Sequence, residues 1–94
     1  TMASLIRAGR LRISISTDGA SPSMARVLRQ SLERVLDRRF MKFVDWVADY
    51  RERMVRDGVS PDERRLRLRK LLEEFRLDGT CRYPKIFLEG GRPN

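Results

Sequence analysis

Apolar and polar positions change their period along the chain, and each change marks an element. Ile13 and Ile15 alternate with Ser14 and Ser16, the period-two pattern of a half-buried strand, here over residues 11–16. From Met24 the period lengthens. Met24, Val27, Leu28, Leu32, Val35 and Leu36 fall three or four residues apart, which predicts a helix over residues 22–36 with one apolar stripe. Arg26, Arg29, Gln30, Glu33 and Arg34 fill the rest of its surface. A second stripe, Phe40, Phe43, Val44, Val47, Met54 and Val55, predicts a helix over 40–57, with Trp46 and Tyr50 beside it and Gly58 as its stop. Ser60-Pro61-Asp62-Glu63 is an N-cap, a first-turn proline and a capping-box glutamate. It opens a third helix whose buried face is Leu68, Leu71, Leu72 and Phe75, closed by Gly79. The tail from Arg82 to Leu88 reads as a short edge strand, since Pro84 bars it from a sheet centre, and residues 89–94 read as a frayed end.

The pattern defines an α+β chain that is mainly helical: one short N-terminal strand, a hydroxyl-rich turn and three amphipathic helices. It divides into a strand–turn–helix region, residues 1–36, and a helical region, residues 37–94. A lone strand cannot satisfy its own backbone groups. The strand at 11–16 is therefore expected to pair with the tail, with a domain outside this chain, or with a second copy, and a homodimer is the favoured solution. Before it, Met2-Ala3-Ser4-Leu5-Ile6-Arg7 ends at Gly9 with no convincing start signal, as though the chain begins inside a longer protein.

Composition narrows the chemistry. The net charge is +8, and 18 of the 21 basic residues are arginine, whose planar fork grips carboxylates and phosphates bidentately. The partner is therefore anionic, whether a polycarboxylate, a nucleic acid or an acidic domain. There is no histidine, and Cys81 is the single cysteine. That removes the commonest general base, the commonest zinc ligand and an internal disulfide, and it leaves the Cys81 thiol without an activating imidazole. No apolar run is long enough to span a membrane, and no signal peptide is visible. The expectation is a soluble, cytoplasmic protein.

One segment stands out. Ser16-Thr17-Asp18-Gly19-Ala20-Ser21-Pro22 places three hydroxyls, a turn dipeptide and an N-cap with proline behind it at the start of a helix. Free N–H groups at a helix N-terminus, ringed by short hydroxyls, suit a carboxylate or phosphate. A plain turn leading into a capped helix explains the same residues. The basic run Glu63-Arg64-Arg65-Leu66-Arg67-Leu68-Arg69-Lys70 admits a nucleic-acid interface or the solvated face of an amphipathic helix, with Glu63 and Arg67 as an i,i+4 pair. No zinc-finger spacing or aromatic RNA-binding signature accompanies it, so the alternative function, a basic nucleic-acid-binding helical module, takes second place. Trp46 and Tyr50 suit apolar packing or an aromatic ligand. Asp45, Asp49 and Glu52 read as solvent-facing, without a paired acid–base geometry, so no catalytic residue is assigned.

The wording of the turn carries a family resemblance. Leu11 through Ser16-Thr17-Asp18-Gly19-Ala20-Ser21-Pro22, followed by Ala25-Arg26-Val27-Leu28-Arg29, resembles the siroheme synthase family, in which a strand ends in a Ser-Thr/Ser-x-Gly-x-Ser-Pro turn before a helix containing Ala-Arg-x-x-Arg. The specific match covers residues 5–33. Leu5-Ile6-Arg7-Ala8-Gly9-Arg10 fits the approach to the strand, and Tyr50-Arg51, Arg53, Val55 and Arg64-Arg65 fit a more weakly patterned helical region. The resemblance implies a parent enzyme that oxidises precorrin-2 to sirohydrochlorin with NAD and, in many members, inserts ferrous iron. It implies a homodimer and a tetrapyrrole substrate, with this chain supplying dimerisation and part of the pocket. The NAD-binding domain and the family's catalytic aspartate would lie upstream, Asp18 is not that aspartate, and no Gly-x-Gly-x-x-Gly motif is present. The isolated chain is then inactive. Substrate-binding residues under this reading are Ser16, Thr17, Gly19, Ser21, Arg26 and Arg29. The family's phosphorylatable serine aligns with Thr17, which keeps the hydroxyl, or with Ser16 if the register shifts by one.

Overall fold

The computed structural model describes residues 4–92. Its elements are β1 (Ser4–Ala8), β2 (Leu11–Ile15), α1 (Pro22–Val35), α2 (Arg38–Arg56), α3 (Pro61–Leu72) and a four-residue α4 (Lys85–Leu88). The described part is mainly helical, as the sequence pattern implies, and carries a small two-stranded antiparallel sheet.

The strand at Leu11–Ile15 does not wait for a second chain. It pairs antiparallel with β1, with Ile6 opposite Ile13 and Ala8 opposite Leu11. Only Gly9 and Arg10 separate the strands. Gly9 holds a φ of +61° and Arg10 does not share it, the arrangement of a type II′ hairpin turn, where the first central residue must tolerate the left-handed region. The expectation of one unpartnered strand is corrected here: a single apolar-in residue, Ile6, sufficed to define β1, too short a signal for a period-two reading. The Met2-Ala3 part of that stretch lies outside the described residues. Among those residues each strand has one neighbour, so the outer edges of both remain open.

Alternation puts Ile6, Ile13 and Ile15 on one face of the hairpin, and α1 lies across it. Ile6 (1% exposed), Ile15 and Ala25 form the buried cluster, with Ile13 and Leu32 packed against it. The face that α1 buries differs from the one its sequence stripe predicts. Ala25, Leu32 and Leu36 turn inward, while Met24, Val27, Leu28 and Val35 are each about half exposed or more. Ala25 decides the rotation, because a methyl group lets the helix axis approach the sheet more closely than Met24 or Leu28 would.

Asp37 caps α2, its Oδ1 accepting the Phe40 N–H at 3.2 Å. The chain leaves α2 through a Schellman turn. The Val59 N–H donates to the Met54 carbonyl at 3.0 Å and the Gly58 N–H to that of Val55 at 3.1 Å, with Gly58 at φ +75°. Met54 is buried beneath that turn. Gly58→Ala should therefore cost about 1–2 kcal/mol, since a Cβ there meets no atom but forces an L-residue into the left-handed region. Gly79→Ala, in equally open space without a positive φ, should leave the thermal midpoint unchanged. Parallel melts of the two variants check this contrast.

Gly79 does not close the third helix. α3 stops at Leu72, and Phe75 leaves the helical path to stack on Phe43 (centroids 5.3 Å) and lean on Phe40 (5.8 Å). The Arg76 guanidinium donates to the carbonyls of Glu73 and Phe75, satisfying acceptors that the ended helix exposes. Leu68 and Leu71 are half-buried, and Leu72 and Phe75 remain partly exposed, so α3 packs more lightly than its pattern implies. The tail is α4 rather than an edge strand. Pro84 stands at its N-cap, where it needs no N–H, and Gly90 at φ +75° ends it. Residues 89–91 thus form a helix cap rather than part of a frayed end, and residues 93–94 of that expectation lie outside the described residues.

The molecule is elongated, 62 × 27 × 24 Å, with a radius of gyration of 18.6 Å, against about 12 Å for a compact domain of this length. Apolar surface that a compact fold would bury consequently stays open.

A candidate anion-facing turn at the start of α1

The segment from Ser16 to Ser21 is a tight turn leading into a capped helix. Asp18 (φ +53°) and Gly19 (φ +80°) are the central residues, and the Ala20 N–H donates to the Thr17 carbonyl at 3.0 Å. Two successive positive φ values define a type I′ turn, which is why Asp-Gly occupies it. Each hydroxyl of the segment has a local partner. Thr17 Oγ1 accepts the Ser21 N–H at 2.9 Å and donates to the Ser21 carbonyl at 3.1 Å. Ser21 Oγ accepts the Met24 N–H at 3.0 Å, and Ser16 Oγ accepts that of Asp18 at 3.3 Å. The half-buried Thr17 is the keystone of the loop. Ser16, Gly19 and Ser21 surround it, with Ser16 and Gly19 exposed.

The two arginines placed with this turn differ. Arg26 is exposed and makes no ion pair among the described residues. Arg29 is half-buried on the hairpin side of α1, and its Nη1 meets Glu33 Oε1 at 2.7 Å. Any anion reaching Arg29 must compete with that carboxylate, whereas Arg26 is available as it stands.

Other residues weighed in the sequence fall elsewhere. Asp45 meets Arg10 of the hairpin turn at 3.2 Å, an exposed pair that links the sheet to α2 and contributes little energy. Much of the basic run is already engaged. Arg64 donates to the Val59 carbonyl at 2.6 Å, Arg65 pairs with Asp62, and Arg67 Nε meets Glu63 at 3.0 Å, the expected i,i+4 pair. Cys81 is exposed. No cluster of three metal-ligating side chains occurs among the described residues, and no described helix is long and apolar enough to cross a membrane. These residues do not fit a dinucleotide either: the sheet is a two-stranded antiparallel hairpin and no glycine-rich strand-to-helix loop accompanies it, so a nicotinamide cofactor has no cradle among them.

Two features escaped the sequence reading. One is the outward stripe of α1, Met24, Val27, Leu28 and Val35. The other is an apolar groove of about 430 Å³ between the α1–α2 corner and the segment after α3, walled by Leu36, Phe40, Phe43, Phe75 and Leu77. The aromatic residues signalled the groove, but its shape depends on Phe75 leaving α3.

Residues 9–34, which run from the hairpin turn through β2 and the Ser16–Ser21 turn into α1, match the family model described as sirohaem biosynthesis protein central. Over 64 residues the chain is 36% identical to siroheme synthase 2 of Cronobacter sakazakii, a match covering 68% of this chain and 14% of that protein. On these two matches the chain is a siroheme synthase family segment. It spans about one seventh of the relative's length. No solved structure matches it.

Proposed function

We propose that this chain serves a siroheme-biosynthesis enzyme as its dimerisation element and as one wall of its tetrapyrrole pocket. The observation that carries the reading is a coincidence of position. The family match at residues 9–34 spans the Ser16–Ser21 turn and all but the last residue of α1, the helix with an apolar face turned to solvent. In this reading the outward stripe of α1 seats a second copy. The turn, with Arg26 and Arg29, faces the substrate. Precorrin-2 is a polycarboxylate, and guanidinium forks beside a helix start suit carboxylates. The parent reaction is the oxidation of precorrin-2 to sirohydrochlorin with NAD bound on a domain outside this chain, and ferrous iron is the substrate of any insertion step that follows. This chain's part in that reading is to bind and orient the ring.

The direct test is a titration of the chain with sirohydrochlorin, followed by absorbance, alongside a DNA duplex at two salt concentrations. Saturable binding of the tetrapyrrole is expected. Duplex affinity that falls steeply with salt, without tetrapyrrole binding, would overturn the reading in favour of a nucleic-acid module.

A further inference from the structure

Trp46 is the chain's single tryptophan, and it is 47% exposed although it belongs to a line of stacked rings. Phe43 lies against it at 6.2 Å and 18°, Tyr50 at 6.1 Å and 25°. Beyond this pair opens a cleft of about 390 Å³ between α2 and the start of α3, lined also by Arg53, Asp57, Val59 and Arg67. Arg53, on the same face of α2 as Trp46 and Tyr50, makes no ion pair among the described residues. Arg67 reaches in from α3. It gives its Nε to Glu63 at 3.0 Å, and its outer nitrogens make no hydrogen bond among the described residues.

We infer that this cleft binds a nucleotide-class ligand, a flat nitrogen heterocycle carrying a phosphate. The inference goes beyond the tetrapyrrole reading and uses different residues. An indole and a phenol ring held within 25° of parallel along a helix offer a platform for a planar ring, a contact that tolerates any π-face. A purely apolar occupant would bury the Arg53 guanidinium without a partner, at substantial cost. An anionic group on the ligand removes that cost, and two arginine forks from different helices suit phosphate oxygens. Asp57 sits in the same cleft, and a carboxylate there opposes a bare anion. It becomes an asset when the ligand's ring edge presents an amino group for it to accept from. Rings, guanidinium groups and carboxylate together match a ring with amino and phosphate groups better than they match any one alone.

The test uses the 94-residue chain and AMP as probe, read by Trp46 fluorescence and by calorimetry. AMP should quench the indole saturably, while adenosine and inorganic phosphate each bind at least about tenfold more weakly. Arg53→Gln should weaken AMP about tenfold, the loss expected for one charged hydrogen-bonding partner, with the circular dichroism spectrum unchanged. Trp46→Phe should keep calorimetric binding while abolishing the optical signal. Three results would overturn the inference: no saturable binding of AMP by either readout, phosphate binding as tightly as AMP, or indifference to Arg53→Gln. A single-stranded oligonucleotide that binds far more tightly than AMP, with steep salt dependence, would also overturn it by making the surface a nucleic-acid path.

Discussion

Thr17→Glu in the full-length enzyme should lower precorrin-2 turnover by about 100-fold, equivalent to about 2.7 kcal/mol, while the fold and NAD binding persist. Two effects act together. Thr17 Oγ1 both accepts from and donates to the Ser21 backbone, and a glutamate cannot reproduce that double contact at the same reach, so the turn loosens. The added negative charge then faces a polycarboxylate across the site proposed above, and like charges brought together there cost several kcal/mol. The core should survive because Ile6, Ile15 and Ala25 are untouched. A phosphate on Thr17 would act in the same direction, and it would first have to break the Ser21 contacts. Ser21→Ala separates structure from charge. It removes the cap on Met24 and should cost about 1 kcal/mol of stability, with turnover close to the parent's. Steady-state kinetics with a thermal melt on each variant supplies the check. Unaltered turnover and tetrapyrrole affinity in Thr17→Glu would reduce the segment to a helix start.

The second large effect concerns assembly. If the outward face of α1 seats a second copy, Leu28→Asp combined with Val27→Asp should raise the dimer dissociation constant by at least about 100-fold. Both side chains are half or more exposed within one chain, so the substitution adds little cost to the folded monomer. Their burial in a dimer would contribute roughly 1 kcal/mol or more each, and a desolvated carboxylate adds a penalty on top. Sedimentation at micromolar concentration should show a dimer for the parent chain and a monomer for the variant, with identical far-UV spectra. A parent chain that sediments as a monomer would remove the dimer from the proposal. The hairpin makes this experiment necessary, because β2 already has a partner in β1 and an unpaired strand no longer argues for a second copy.

Local signals carried much of the architecture. The Ile13–Ile15 alternation, the caps at Ser21 and Ser60 and the stop at Gly58 act within a few residues, and each appears where the sequence places it. Such signals are legible because the hydrogen bonds that define them close between near neighbours. The turn was equally legible as a motif, and Asp18-Gly19 states its backbone conformation outright. Its hydroxyls were harder to assign. Whether Thr17 and Ser21 point toward a ligand or back into their own loop depends on the path of the chain through Ala20, which residue types alone leave open.

Packing between distant segments decided the rest. The apolar positions of α1 are more than one contact can bury, and the hairpin beneath it selected Ala25 and Leu32 over Met24, Val27 and Leu28. The third helix ended early because Phe75 gains more by stacking on Phe40 and Phe43, some thirty residues away, than by continuing a helical turn. Gly79 stands in open chain for the same reason. By itself, then, the sequence determined the capped helix starts at Ser21 and Ser60, the stop at Gly58, the Asp18-Gly19 turn and the family. The tertiary structure decided which apolar face turns inward, where α3 stops and which arginines stay unpaired, because those outcomes depend on contacts between residues far apart in the chain.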